Sequence, residues 1–123
     1  MKILIVEDDK SLARSMKIVL ALEGYEVKVV NDGQDIIPLL CSTVYKPDAV
    51  ILDLHLPHID GDELLLGITD HWPSTKVYIF SGFVSDHAGK IHAAEHTGQI
   101  KGTFTKGRHS LVDIMAQLEE DSF

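Results

Sequence analysis

The sequence predicts a single α/β domain, a doubly wound parallel sheet of five strands with helices on both faces. Three observations favour this fold class. Short runs of branched apolar residues alternate with segments whose apolar residues recur at helical spacing. Such alternation is typical of helices that cover a parallel sheet. Polar residues follow the apolar runs, and a chain of 123 residues is long enough for one core of this kind.

The first part of the chain predicts two strands and two helices. The first strand is Lys2 to Val6, and a helix follows from about Ser11 to Leu22. Gly24 ends that helix as a C-terminal glycine, and Glu26 to Val30 forms the second strand. The next helix contains Pro38, which removes a backbone donor and should bend the helix or delay its start.

The rest of the chain continues the alternation, with each strand read from an apolar run and each helix from apolar residues on one face. The predicted elements are a strand at Ala49–Asp53, a helix at about Asp62–His71, a strand ending at Ser81, a helix within Val84–His96, a strand at about Lys101–Thr105 and a helix around Leu111–Leu118.

Composition and charge exclude several functional classes. A net charge of −8 argues against a nucleic-acid-binding surface, because a phosphate backbone attracts the opposite sign. The lone Cys41 excludes an internal disulfide and fits a reducing compartment. No apolar run approaches the roughly 20 residues that span a bilayer, and Met1 leads directly into the first strand without a signal peptide. We therefore expect a soluble, cytoplasmic domain without membrane contact.

Acidic residues follow two of the predicted strands. Glu7 and Asp8 come directly after the first strand, and Asp53 ends the third. Carboxyl ends of parallel strands meet at one edge of the sheet, where α/β proteins bind their ligands. Carboxylates held close together repel one another unless a proton or a cation intervenes, and a hard divalent cation is the usual partner. The pattern predicts a cation site at this edge.

Two further polar residues lie at the ends of the fourth and fifth strands. Ser81 ends the fourth strand, and Lys106 follows the fifth. A hydroxyl and an ammonium group beside clustered carboxylates are suited to the transfer of a phosphoryl group. The strand ends therefore predict phosphoryl chemistry at the same edge.

With these motifs the chain resembles the receiver domains of two-component response regulators, the CheY-like family. The resemblance covers nearly all of the chain and predicts one receiver domain over residues 1–123. It implies a flavodoxin-like sheet with the strand order 2-1-3-4-5. The motifs that match are Ile3–Asp9, Asp53–Gly61, Ser81–Gly82 and Thr105–Lys106.

The resemblance implies a role for each acidic residue. Asp53 matches the phosphoacceptor, whose carboxylate takes a phosphoryl group from a sensor histidine kinase or a histidine phosphotransfer protein. Glu7 and Asp8 match the acidic pair that, with Asp53 and the backbone carbonyl of His55, holds Mg²⁺. Because Mg²⁺ keeps several waters, we expect Asp8 and Asp53 to bind it directly and Glu7 to act through water.

The remaining implied roles concern the phosphorylated state. Lys106 matches the lysine that offsets charge on the phosphoryl group, and Ser81 matches the residue whose hydroxyl bonds the new phosphate. Such a domain is not an enzyme beyond its own Mg²⁺-dependent phosphorylation and slow dephosphorylation. The new charge would switch a surface that contacts an output domain or a target protein.

The sequence departs from the family on the side that signals outward. Thr103 stands where receivers carry an aromatic switch residue, and Phe104 beside it would point to the opposite face of the strand. Gly107 replaces the proline that commonly follows the lysine, and the segment between Ser81 and Lys106 is longer than usual. The alternative to a phosphorylation switch is therefore a receiver-like interaction module with atypical switching or none.

Overall fold

The computed structural model describes residues 1–82 and 98–122. The strands form one parallel sheet in the order β2-β1-β3-β4-β5, which confirms the predicted fold class and the order implied by the resemblance. The strands are β1 Lys2–Val6, β2 Glu26–Val30, β3 Ala49–Leu52, β4 Lys76–Ser81 and β5 Ile100–Thr105. The helices are α1 Lys10–Leu22, α2 Ile36–Leu40, α3 Gly61–His71 and α4 Leu111–Asp121. The predicted helix within Val84–His96 lies outside the described residues.

Helix boundaries follow local chemistry. Asp9 precedes α1, and its side chain accepts a hydrogen bond from the backbone N–H of Leu12, as an N-cap residue does. A 3₁₀ turn over Gly33–Asp35 precedes α2, so Pro38 lies within the first turn of that helix. The missing N–H of a proline costs little there, since first-turn donors have no partner within the helix. Helix α2 therefore starts late, at Ile36, which is one of the two effects predicted for Pro38.

The two faces of the sheet bury separate apolar clusters. Successive strand residues point to opposite faces, so β1, β3 and β4 are buried on both sides and read as nearly continuous apolar runs. Helices α2 and α3 cover one cluster, and α1 and α4 cover the other. The first cluster is built around Leu4, Leu52, Leu64 and Ile68, and the second around Ile5, Ile51, Met16 and Ile114.

The parallel sheet brings the carboxyl ends of all its strands to one edge. Strand β3 ends at Leu52, one residue before the predicted boundary at Asp53, but the N–H of Asp53 still donates to the carbonyl of Val6 at 3.0 Å. The aspartate is therefore held in line with β1.

None of the helices in the described part of the chain has the length and hydrophobicity needed to cross a bilayer.

Candidate phosphoryl-transfer site

A lysine bridges two buried carboxylates at this edge. The Nζ atom of Lys106 lies 2.6 Å from Oε1 of Glu7 and 2.8 Å from Oδ2 of Asp53. The two acidic side chains are 2% and 4% exposed, whereas the lysine side chain is 27% exposed. Three residues that follow three different strands therefore meet, as the strand ends predicted.

The backbone fixes each of these residues beyond the end of its strand. The N–H of Glu7 donates to the carbonyl of Val30 at 3.0 Å, and the N–H of Lys106 donates to the carbonyl of Ser81 at 3.1 Å. Together with the bond from Asp53 to β1, these contacts continue the sheet register by one residue. The side chains consequently start from rigid positions.

Each carboxylate is also oriented by a backbone donor. Oδ1 of Asp53 accepts from the N–H of His55 at 2.9 Å, and Oε2 of Glu7 accepts from the N–H of Asp9 at 3.1 Å. One oxygen of each group therefore faces Lys106 while the other is held by the loop that follows it. This arrangement presents the carboxylates in one orientation.

Asp8 completes a group of acidic residues with the spacing of a cation site. Glu7, Asp8 and Asp53 each offer one carboxylate oxygen within 4.8 Å of the others. Oxygen atoms at this spacing suit a hard divalent cation such as Mg²⁺. Asp8 is exposed, whereas both oxygens of Glu7 and both oxygens of Asp53 already have protein partners. The three carboxylates therefore fit a divalent cation, and Asp8 is the most accessible of them.

Burial controls the protonation of this cluster. The pKa of Glu7 is raised to about 7, mainly by burial and to a smaller extent by the charge of Asp53. Hydrogen bonds from Lys106 and from the N–H of Asp9 oppose this rise without cancelling it. Burial by itself lowers the pKa of Lys106, but its hydrogen bonds to Asp53 and Glu7 outweigh burial and hold the pKa above its usual value. Glu7 therefore changes its protonation near neutral pH.

This pKa predicts how stability depends on pH. Because the pKa of Glu7 is about 7 in the folded chain and 4.5 without that environment, the folded state binds its proton more tightly. Charged Glu7 therefore destabilises the fold above pH 7, and this cost disappears as pH falls toward 4.5. Between about pH 8 and pH 5, the free energy of unfolding of the native chain should rise by about 2–3 kcal/mol relative to Glu7→Gln. Urea denaturation without divalent cations measures the difference, and parallel pH curves would contradict it.

Ser81 and Thr103 occupy the sheet positions that the sequence predicted. Ser81 is the last residue of β4, is fully buried and pairs with Thr105 of β5. Thr103 lies opposite Ile79, and its Oγ1 atom is buried with no hydrogen-bond partner among the described residues. Phe104 packs instead into the cluster under α1 and α4. The aromatic ring of β5 is therefore on the other side of the sheet.

Sequence reasoning missed two contacts made by loop histidines. His58 lies on the surface, and its Nδ1 atom is 2.8 Å from Oδ2 of Asp32 in the loop after β2. The N–H of Gln34 and then His58 hold the pKa of Asp32 below its usual value. His109 contacts the strand that leads to Lys106, and Gly107 was the one nearby hint of a turn. Both contacts depend on loop paths that spacing does not reveal.

Comparison with known proteins gives a consistent result. A family model described as "Response regulator receiver domain" matches residues 3–109. The response regulator MprA of Mycolicibacterium vanbaalenii is 38% identical over 63 residues, which are 51% of this chain and 26% of that protein. The match thus spans far less than two thirds of MprA.

Solved structures show the same fold. A receiver domain described as CheY-like from Methanospirillum hungatei JF-1 has a TM-score of 0.83 at 23% identity, covering 98% of this chain and 91% of that one. The signal receiver domain of an HD domain-containing protein from Pseudomonas fluorescens Pf-5 has a TM-score of 0.79 at 25% identity, covering 97% and 91%.

Proposed function

Because the chain belongs to the response regulator receiver domain family, we propose that Asp53 accepts a phosphoryl group and thereby switches a protein-interaction surface. The observation that carries this proposal is the position of Lys106 between Glu7 and Asp53. A buried carboxylate with a fixed orientation is a suitable nucleophile, and the lysine supplies positive charge beside it. The domain acts on itself and is not an enzyme toward other substrates.

The proposed reaction transfers the phosphoryl group from a phosphohistidine of a partner. A carboxylate oxygen of Asp53 attacks phosphorus, the N–P bond breaks and an O–P bond forms. The backbone N–H of His55 holds the carboxylate during attack, while Lys106 offsets charge on the transferred oxygens. Mg²⁺ held by Asp8 and Asp53, with Glu7 acting through water and the His55 carbonyl as a further ligand, would neutralise charge on the same oxygens. Ser81 would bond the new phosphate.

The partners follow from the same proposal. The phosphodonor is a sensor histidine kinase or a histidine phosphotransfer protein, and the recipient of the signal is an output domain or a target protein. A net charge of −8 speaks against direct contact with nucleic acid. The exposed free Cys41 is compatible with the cytoplasm, where thiols stay reduced.

One observation favours a second candidate, a receiver-like interaction module without the usual switch. Thr103 offers a small side chain with an unbonded buried hydroxyl among the described residues, and Phe104 lies on the opposite face. No aromatic ring is therefore available at Thr103 to report phosphorylation. In this candidate the site keeps its chemistry, but the interaction surface is constitutive.

Labelling by a small phosphodonor tests the first function. We expect acetyl phosphate to add one phosphoryl group per chain in the presence of Mg²⁺ and none in the presence of a chelator, with the label on the peptide that contains Asp53. Intact mass and peptide mapping measure this. An unlabelled native chain, at any Mg²⁺ concentration, would count against phosphorylation.

Amide spectra with beryllofluoride then separate the two candidates. A switch changes amide shifts at Ser81 and Lys106 together with those on strand β5 around Thr103. An interaction module changes the first two and leaves β5 unchanged.

A further inference from the structure

His109 closes the turn that carries Lys106 out of the sheet. The N–H groups of Arg108 and His109 both donate to the carbonyl of Thr105, at 3.1 Å and 2.8 Å. Gly107 has φ of +84° within this turn, a backbone conformation that glycine adopts readily. The turn therefore brings His109 back against Thr105, the residue that precedes Lys106.

The imidazole ring makes a second contact with the same residue. The N–H of Thr105 donates to Nδ1 of His109 at 3.0 Å. In a strand, neighbouring N–H groups point to opposite sides, and the N–H of Lys106 already points to Ser81 of β4. The N–H of Thr105 thus points away from β4, and β5 is the edge of the described sheet. The ring takes the place that a further strand would fill.

Packing holds the ring in this position. The rings of Phe104 and His109 meet edge to face, with centroids 5.6 Å apart and planes at 89°. His109 therefore contacts two consecutive residues of β5 immediately before Lys106. An N–H and a carbonyl of Thr105 are both bonded to it, so the end of the strand is fixed on its open side.

We propose that His109 is a positioning residue for Lys106. The neutral ring of His109 accepts a hydrogen bond at Nδ1 and thereby fixes the end of β5, which directs the ammonium group of Lys106 to Asp53. The inference rests on the proposed function, because its consequence is the rate of phosphorylation. A flexible lysine could reach solvent, but a fixed strand end directs Nζ to the buried carboxylate pair. In place of the proline typical of the family, this chain has Gly107 and a side-chain acceptor.

Two substitutions separate the acceptor from the bulk of the ring. His109→Phe keeps an aromatic ring against Phe104 but has no acceptor, whereas the Oδ1 atom of His109→Asn stands the same number of bonds from the backbone as Nδ1. With acetyl phosphate and saturating Mg²⁺, the first-order labelling rate should fall about 10-fold in His109→Phe, since small misplacements of a charged group are costly. Most of the rate should return in His109→Asn.

A double substitution tests whether His109 affects the labelling rate through Lys106 or only through the stability of the fold. If His109 acts through the lysine, His109→Phe should slow labelling further by less than about twofold once Lys106→Met is present, because residues that act as a unit are not additive. In the native chain, nitrogen-15 spectra of the ring should show hydrogen on Nε2 and none on Nδ1. This spectrum is recorded on the native chain, so it does not depend on whether the variants fold.

The outcomes distinguish this inference from the proposed function. A native chain that is never labelled would overturn both. Normal labelling of the native chain with an equal rate in His109→Phe would overturn the role of His109 alone. Equal losses in His109→Phe and His109→Asn, full additivity with Lys106→Met, or hydrogen on Nδ1 would do the same.

Discussion

Asp53→Asn should abolish Mg²⁺-dependent labelling of the chain by acetyl phosphate while leaving the fold intact. An amide has the shape of the carboxylate, and its oxygen can still accept from the N–H of His55. It is not a nucleophilic carboxylate, however, and it removes one of the charges that face Lys106. Because the backbone N–H of residue 53 stays bonded to β1 and Lys106 keeps Glu7 as a partner, the local structure should persist. Intact mass should show no added phosphoryl group.

The matched control is an aspartate on the surface of α3. Asp70→Asn makes the same chemical change at an exposed position and should be labelled at the native rate. Circular dichroism and urea denaturation establish that both variants are folded. Stoichiometric labelling of Asp53→Asn would remove that residue from the role of phosphoacceptor.

Gly61→Ala should lower the free energy of unfolding by about 3 kcal/mol, the upper end of the usual cost of overpacking. Gly61 is buried at the start of α3, and a Cβ atom there would overlap the backbone carbonyl of Leu54. Backbone cannot rotate away as a side-chain end can. The helix would have to move from Leu54, which follows Asp53 directly and is 2% exposed.

A second glycine of the same helix provides the control. A Cβ atom at Gly67 would lie 3.4 Å from the Cδ1 atom of Leu40, an ordinary contact. Gly67→Ala should therefore raise the free energy of unfolding by about 0.5–1 kcal/mol, since alanine favours the helix interior. Urea denaturation of both variants measures the contrast. Equal stability of the two would show that α3 tolerates displacement from the loop after β3.

The elements that position the site could be predicted from the sequence because their signals are local. Strands buried on both faces appear as unbroken apolar runs, and parallel pairing then sends their carboxyl ends to one edge. The meeting of Glu7, Asp53 and Lys106 needs no further information than this order. Strand periodicity likewise indicated that Phe104 would leave the face on which Thr103 lies, and Phe104 packs under α1 and α4.

Loop geometry could not be predicted in the same way. His58 has φ of +66°, a conformation rare for residues other than glycine, and this loop path carries its ring to Asp32. The contact between His109 and Thr105 requires the turn at Gly107, whose φ of +84° a glycine permits but does not impose. The protonation of Glu7 depends on burial, which a strand-end position alone does not measure.

Lys106 acts as a cation that the chain itself supplies to the acidic cluster. An ammonium group tethered to β5 already sits on oxygens of Glu7 and Asp53. A divalent ion at the acidic cluster would compete with this ammonium group for the same oxygens. We therefore expect a substitution that withdraws the ammonium group, such as Lys106→Met, to strengthen binding of the ion.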